Sequence, residues 1–254
     1  MRRYWIEPEK IEDRSVGDYI EIDGELLHHL IDVCRIEVGG VFELLCGDQT
    51  AYVVRMTTIT GKRATAEILE CRAIESLRRP HIHLALSMPR FQKFDEIVEK
   101  CVELGVKSIT PFTSQFSFVR KITPELKAKR LRWEKVVQAA TRQSGRGDLM
   151  QVSEMLSLSE LLKTFNRSGD ALGLFSYEGD GDKVIRQALG ELKAQTPQNL
   201  WVFVGSEGGF SEVEVQSFRE HGMGPVSLGH QVLRVETACL ALISVIKYEF
   251  DLMS

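Results

Sequence analysis

The sequence predicts an α/β protein: a larger C-terminal part built on a mainly parallel sheet, preceded by a small β-rich domain. Three observations predict it. The first 72 residues hold short apolar runs broken by turn signals. After Pro80, strand-like runs alternate with helix-like ones. The 254 residues, at roughly 150 per domain, also leave room for two units. A hydrophobic content of 43% and a charged content of 27% lie near the globular average, which excludes a disordered, collagenous or disulfide-scaffold chain.

In chain order, the expected strands of the first part are 19–22, 41–46, 51–59 and 64–71, with turns at Gly47-Asp48 and Gly61. One helix, about 25–35, interrupts them, with Leu26, Leu30 and Val33 at helical spacing. Arg78-Arg79-Pro80 marks the change of pattern, since proline disfavours helix before it. We expect domains at 1–72 and 73–254. Beyond Pro80 the strands are 81–87, 108–112, 171–175, 200–204 and 226–228. The clearest helix, 94–104, places Phe94, Ile97, Val98, Cys101 and Leu104 on one face and ends at Gly105. A helix over 237–250 is uncharged until Lys247 and apolar nearly all round, so it needs cover on two sides, from its own sheet and from either this chain or a second subunit.

The formal net charge is −4, unevenly spread. Residues 1–72 carry nine basic against fourteen acidic side chains, whereas 120–146 carry nine basic ones with only Glu125 and Glu134 opposing them. This basic run over a helix from about 124 to 144 is either a solvated amphipathic face, with Leu126, Leu131, Val136 and Val137 inward, or a phosphate-binding surface. Five cysteines, an odd number with no C-x-x-C pair, read as reduced and mostly buried thiols, with no metal site. No run approaches the roughly 20 apolar residues of a membrane span, and the first residues lack a secretory signal's apolar core, so a cytoplasmic protein without membrane contact is expected.

Chemistry concentrates in two glycine turns. In Val204-Gly205-Ser206-Glu207-Gly208-Gly209-Phe210-Ser211 an apolar strand runs into a glycine-dense bend, and Ser211 with Glu214 forms a capping pattern for the next helix. Glycines let main-chain groups approach a ligand, at the strand ends where open α/β sheets bind them. The segment is neither G-x-G-x-x-G nor a phosphate loop. An ordinary strand-to-helix turn is the competing reading. The second turn, Leu228-Gly229-His230-Gln231-Val232-Leu233-Arg234-Val235-Glu236-Thr237, also enters a helix. With one helix between them, the turns are expected on adjacent parallel strands, forming one pocket. Arg234 is disfavoured by the helix dipole there, so it either reaches a ligand or pairs with Glu236.

These two segments, together with 100–106, Ile109-Thr110-Pro111 and Gln143-Ser144-Gly145-Arg146, resemble in order and content the RsmE family of the SPOUT superfamily, which methylates N3 of a uridine in bacterial 16S ribosomal RNA. The resemblance implies a C-terminal trefoil-knot methyltransferase domain, an N-terminal PUA-like RNA-binding domain, a homodimer, S-adenosyl-L-methionine (AdoMet) as methyl donor, and 16S rRNA in the small subunit as partner. AdoMet is implied among three loops: that after Leu174-Phe175, that of Val204, Gly205, Glu207, Gly208 and Gly209, and that of Leu228, Gly229 and Leu233, with Thr237 beside them. Arg234 and Glu236 are the implied catalytic pair, Arg234 favouring the deprotonated uridine and Glu236 orienting it or taking a proton through water. From their charge and polarity, Arg120, Lys121, Arg142, Gln143 and Arg146 are expected to hold RNA.

Six positions depart from the family pattern. Ser206 replaces a usual proline and is expected to loosen the turn. His230-Gln231 replaces proline-arginine, Gln115-Phe116 replaces Glu-Arg, and Arg142 stands at a usually acidic place. A non-catalytic RNA-binding protein and a related enzyme acting on tRNA are the alternatives.

Overall fold

Alternation of inward apolar and outward polar side chains along residues 19–23 and 63–68 is the signature of sheet with one wet face, and the chain uses it so. A computed structural model describes residues 3–47, 49–121, 124–167, 169–178 and 183–253. The expected turn residue Asp48 and the side chains of Glu125 and Lys127 lie outside the described residues. The chain divides into two compact units, Met1–Ser76 with Gln138–Leu149, and Leu77–Val137 with Met150–Ser254.

In the first unit β1 (Arg3–Trp5), β2 (Tyr19–Asp23), β3 (Val41–Leu45), β4 (Thr50–Thr60) and β5 (Arg63–Ala73) form one sheet in the order β1-β3-β4-β5-β2. Only the β1–β3 pair is parallel. Ile20, Ile22, Phe42, Leu44, Val54, Met56 and Ile68 make its core. The helix expected at 25–35 is a short α1 (Gly24–His28) continued by a π turn, His29–Val33, closed by Cys34 N–H donating to the His29 carbonyl at 2.9 Å. The wider turn changes the register: Leu27 and Leu30 are buried, whereas Val33 faces solvent. Glu43 is buried on β3 and bound by Arg3 at 2.5 Å and by Arg72.

The second unit contains β6 (His81–Ser87), α2 (Phe91–Glu103), β7 (Ser108–Thr113), α3 (Pro124–Ser144, whose end belongs to the first unit), β8 (Gln151–Val152) and β9 (Leu156–Ser157). It continues through α4 (Leu158–Arg167), β10 (Ala171–Ser176), β11 (Lys183–Val184), α5 (Ile185–Ala194), β12 (Asn199–Val204), α6 (Glu212–Glu220), β13 (Gly224–Ser227) and α7 (Val235–Glu249). The sheet is parallel throughout, in the order β11-β13-β10-β12-β6-β7-β8, with β9 also on β7.

This order corrects one expectation. The strands carrying the two glycine turns, β12 and β13, are not adjacent, because β10 lies between them. Leu174 and Phe175 of β10 are buried, and a strand apolar on both faces belongs in a sheet interior. The connection through α6 therefore steps across β10, and the carboxyl ends of β12, β10 and β13 stand side by side.

Against one face of the sheet packs an aromatic cluster of Phe112, Phe165, Phe175, Trp201, Phe203, Phe210 and Phe218. Phe218 of α6 lies 4.7 Å from Phe175, 4.9 Å from Phe210 and 5.2 Å from Phe203, ring centre to ring centre. Helix α2 buries Phe94, Ile97, Val98 and Cys101 as expected, and ends at Gly105 with φ +73°. In α3 the expected inward Leu131 is exposed; Leu126 and Val137 are buried with Trp133, whose indole N–H donates to Asp95 at 2.8 Å. Two residues, about 200° of helix, separate Leu131 from Trp133, so Leu131 lies on the opposite face from Leu126, Trp133, Val137 and Ala140. Cys46, Cys101 and Cys239 are buried thiols, Cys34 is half-buried and Cys71 exposed, and none of the five forms a disulfide. Among the described residues no helix is long and apolar enough to cross a membrane, and no group of three or more His, Cys, Asp or Glu is placed to hold a metal.

Because Phe218 is fully buried among three rings, Phe218→Ala should lower the stability of the second unit by about 3–5 kcal/mol, read as a shift of its denaturant midpoint. A loss below 1 kcal/mol would mean that the cluster collapses around the gap.

Candidate active site

The ends of β10 and β12 and the start of α7 frame a cavity of about 290 Å³. One wall is Ser176, Tyr177 and Glu178, following β10; the second is Val204, Gly205, Ser206, Gly208, Gly209 and Phe210, following β12; the third is Leu233, Val235 and Ala238, at the start of α7.

The β12 wall exists because its glycines have no side chains. A Cβ on Gly205 would lie 3.0 Å from the main chain of Gly209, and one on Gly208 would lie 2.7 Å from the Phe116 Cβ. Gly209 itself takes φ +68°, and its N–H donates to the Ser206 carbonyl at 2.9 Å. Downstream, Ser211 and Glu214 form the expected capping box on α6. Glu214 does more: its second carboxylate oxygen accepts the Gln115 N–H at 2.7 Å.

Ser206, expected to loosen this turn, fastens it instead. Its buried hydroxyl donates to the Phe116 carbonyl at 2.7 Å, a bond that proline would be unable to make. The segment after β7 is pinned from below by a buried hydroxyl cluster, in which Ser87 lies 2.6 Å from Ser114 and 2.9 Å from Ser117. Sequence reasoning missed this support, since isolated serines carry no signal of long-range pairing.

Of the residues expected around a cofactor, Val204, Gly205, Gly208, Gly209 and Leu233 line the cavity. Leu174 and Phe175 do not: β10 runs on to Ser176, so both are core, and the wall begins one residue later. Glu207, Leu228, Gly229 and Thr237 lie outside the lining; Glu207, Gly229 and Thr237 are exposed and Leu228 is half-buried. Strand β13 ends at Ser227, whose hydroxyl braces the turn by donating to the Gly229 carbonyl at 3.1 Å. His230 and Gln231 are exposed on that turn.

Arg234 is the N-cap residue of α7, exposed, between the lining residues Leu233 and Val235. It does not pair with Glu236. The Glu236 carboxylate accepts from Lys93 of α2 at 2.7 Å, across 143 positions of sequence, so Glu236 is held by another helix and does not orient Arg234. The Lys93 hydrogen bond, aided by the positive charges of Lys93 and Arg234, holds the Glu236 carboxyl below its ordinary value.

The expected RNA ligands fall in both units. Arg120 and Lys121 are exposed in the second, and Arg120 donates to the Ser117 carbonyl at 3.4 Å. In the first, Gln143 is exposed and Arg142 half-buried, but Arg146 is 8% exposed and bound to Asp148 at 2.7 Å. Burial and pairing make Arg146 a structural residue of that unit and correct its assignment to phosphate. The basic run is further thinned by pairs from Arg130 to Glu154 at 3.0 Å and from Arg132 to Asp95 at 2.6 Å.

A carboxylate with a lowered pKa stabilises the fold above its ordinary pKa of 4.5, and this contribution disappears as pH falls through the lowered value. Lys93→Met should raise the Glu236 pKa, read by NMR titration. It should also lower stability at neutral pH, with the difference from the parent chain vanishing in acid. An unchanged Glu236 titration would discount the pair.

The RNA methyltransferase domain family matches residues 76–247 and the RNA methyltransferase PUA domain family matches residues 22–69. The chain is 26% identical to ribosomal RNA small subunit methyltransferase E of Bacillus subtilis over 257 aligned positions, covering 100% of this chain and 98% of that protein. It is 31% identical to the same enzyme of Aquifex aeolicus, covering 92% and 96%. The crystal structure of the Neisseria gonorrhoeae ribosomal RNA small subunit methyltransferase E, bound to S-adenosyl methionine, superimposes with a TM-score of 0.82 at 30% identity, covering 98% of this chain and 97% of that one. A SPOUT-like parallel sheet, a PUA-like N-terminal unit and similarity along nearly the whole chain place this protein in the ribosomal RNA small subunit methyltransferase E (RsmE) family.

Proposed function

We propose that this chain transfers a methyl group from AdoMet to N3 of a uridine in 16S rRNA. The observation that carries the reading is the glycine cradle at the meeting of three strand ends, where side chains at Gly205 and Gly208 would collide with neighbouring atoms. The cavity suits the donor: Val204, Leu233, Val235 and Ala238 offer apolar wall for a purine, and the main chain of 205–209 offers polar groups. Leu228, Gly229 and Thr237 stand in the neighbouring turn and helix start. AdoMet, when bound, supplies an electrophilic methyl on a positively charged sulfur.

The chain's own work is positioning and electrostatics. Uridine N3 carries a proton and attacks poorly until it is lost. Arg234, exposed beside the lining and with a side chain that makes no hydrogen bond or ion pair among the described residues, provides a cation that favours the deprotonated ring. Glu236, kept ionised and fixed by Lys93, is a weak base, and its part is to anchor the first turn of α7 from which Arg234 projects. Arg120, Lys121 and Arg142, with Gln143, supply contacts to the RNA backbone. The partner is 16S rRNA, recognised with help from the PUA-like unit. The outer face of α7, where Val245 is 37% and Tyr248 76% exposed, supports a homodimer in which a second copy covers what this chain leaves bare.

Calorimetry should show AdoMet binding to the wild-type chain and none to Gly205→Val. Arg234→Ala should retain AdoMet affinity while methylation of 16S rRNA falls by about a hundredfold or more, the scale of removing one preorganised charge-stabilising group. Mass mapping of 16S rRNA from a strain lacking the gene should show loss of N3-methyluridine. A wild-type chain that binds no AdoMet overturns the reading; near-normal turnover in Arg234→Ala removes that residue's role.

A further inference from the structure

Beside the cavity, the segment following β7 displays two large aromatic side chains to solvent: Phe116 is 41% and Phe118 57% exposed. Exposed phenylalanines on a loop are ordinarily unremarked, but this loop is fixed. Ser206 and Glu214 bind it from the glycine turn and α6, Ser87 holds Ser114 and Ser117 from β6, and the Phe118 N–H donates to the Met88 carbonyl at 2.9 Å. Five hydrogen bonds, two of them buried and two part-buried, thus hold the segment that carries both rings. Cations attend them. The Arg90 guanidinium sits 5.4 Å above the Phe118 ring, and Arg120 caps the end of the segment. The next residue after Arg90, Phe91, repeats the pattern under Lys129 at 4.3 Å.

Rigid aromatic faces interleaved with cations match the chemistry of unpaired nucleotides: bases stack on rings and guanidinium planes, while the cations meet phosphates. Duplex RNA, whose bases are already stacked, offers no such face. We infer that Phe116 and Phe118, with Arg90, form a base-stacking platform at the rim of the cavity, which takes unpaired bases flanking the target nucleotide. The inference rests on the proposed RNA methyltransferase reading.

The test uses the full chain and two probes, a single-stranded oligoribonucleotide carrying a loop sequence of 16S rRNA and a duplex of equal length. Phe118→Ala and Phe118→Leu should each weaken single-strand binding by about fivefold to a hundredfold, with duplex binding unchanged and Phe118→Trp retaining affinity. Leucine keeps apolar area but has no π face, so its failure to rescue identifies stacking. Equal affinity of Phe118→Leu and wild type overturns the inference. So does a loss seen only with intact small subunits, which would assign the face to a protein partner, or a changed sedimentation coefficient, which would assign it to a second copy. AdoMet calorimetry on the same variants keeps the two readings apart: an absence of AdoMet binding in wild type condemns the methyltransferase, whereas normal AdoMet binding with unaltered RNA affinity in the variants condemns only the platform.

Discussion

A close approach of main chain to main chain shapes the β12 wall of the cavity. A Cβ on Gly205 would crowd the Gly209 main chain at 3.0 Å, and one on Gly208 would meet the Phe116 Cβ at 2.7 Å. A turn this tight leaves its peptide groups on show along one wall, at the carboxyl edge of the sheet, where ligands of open α/β folds collect. The aromatic cluster below anchors the turn, since Phe210 follows it directly and packs on Phe112, Phe175 and Phe218. Packing therefore fixes the end of the bend, and the absence of side chains fixes its middle.

Polar groups then tie this bend to its neighbours. Glu214 serves two masters, capping α6 through one oxygen and holding the Gln115 N–H through the other. Ser206 closes the same circuit from the opposite side. Buried polar groups that are fully satisfied confer rigidity, because breaking any one leaves a partner desolvated and unpaired. The Ser206 hydroxyl thus holds the turn through a directed hydrogen bond that a proline at this position would be unable to make.

Much of this was readable from sequence because it is local. Strand periodicity, the α2 apolar face, the Ser211–Glu214 capping box and the run of glycines each operate within a few residues, where spacing encodes geometry. What escaped reading is long-range. Nothing near Glu236 announces Lys93, and the Arg234–Glu236 pairing suggested by proximity in sequence gives way to a bond across two helices. The insertion of β10 between β12 and β13 follows from competition among strands for the sheet interior, and a linear pattern does not record who wins. Arg146 shows the same limit: its charge counted toward a basic face until its burial beside Asp148 removed it. Val33 was misplaced for a subtler reason, since a π turn is invisible to a test that assumes helices of one pitch.

The side-by-side strand ends also impose a timetable. The cavity walls are drawn from residues as far apart as Ser176 and Ala238, and the middle strand comes first in sequence while its two flanking strands come later. Two walls, from paired β10 and β12, belong to the chain made through Phe210, with β10 still unflanked on one side. The third wall waits for the start of α7, so the full lining exists only once synthesis has passed Ala238.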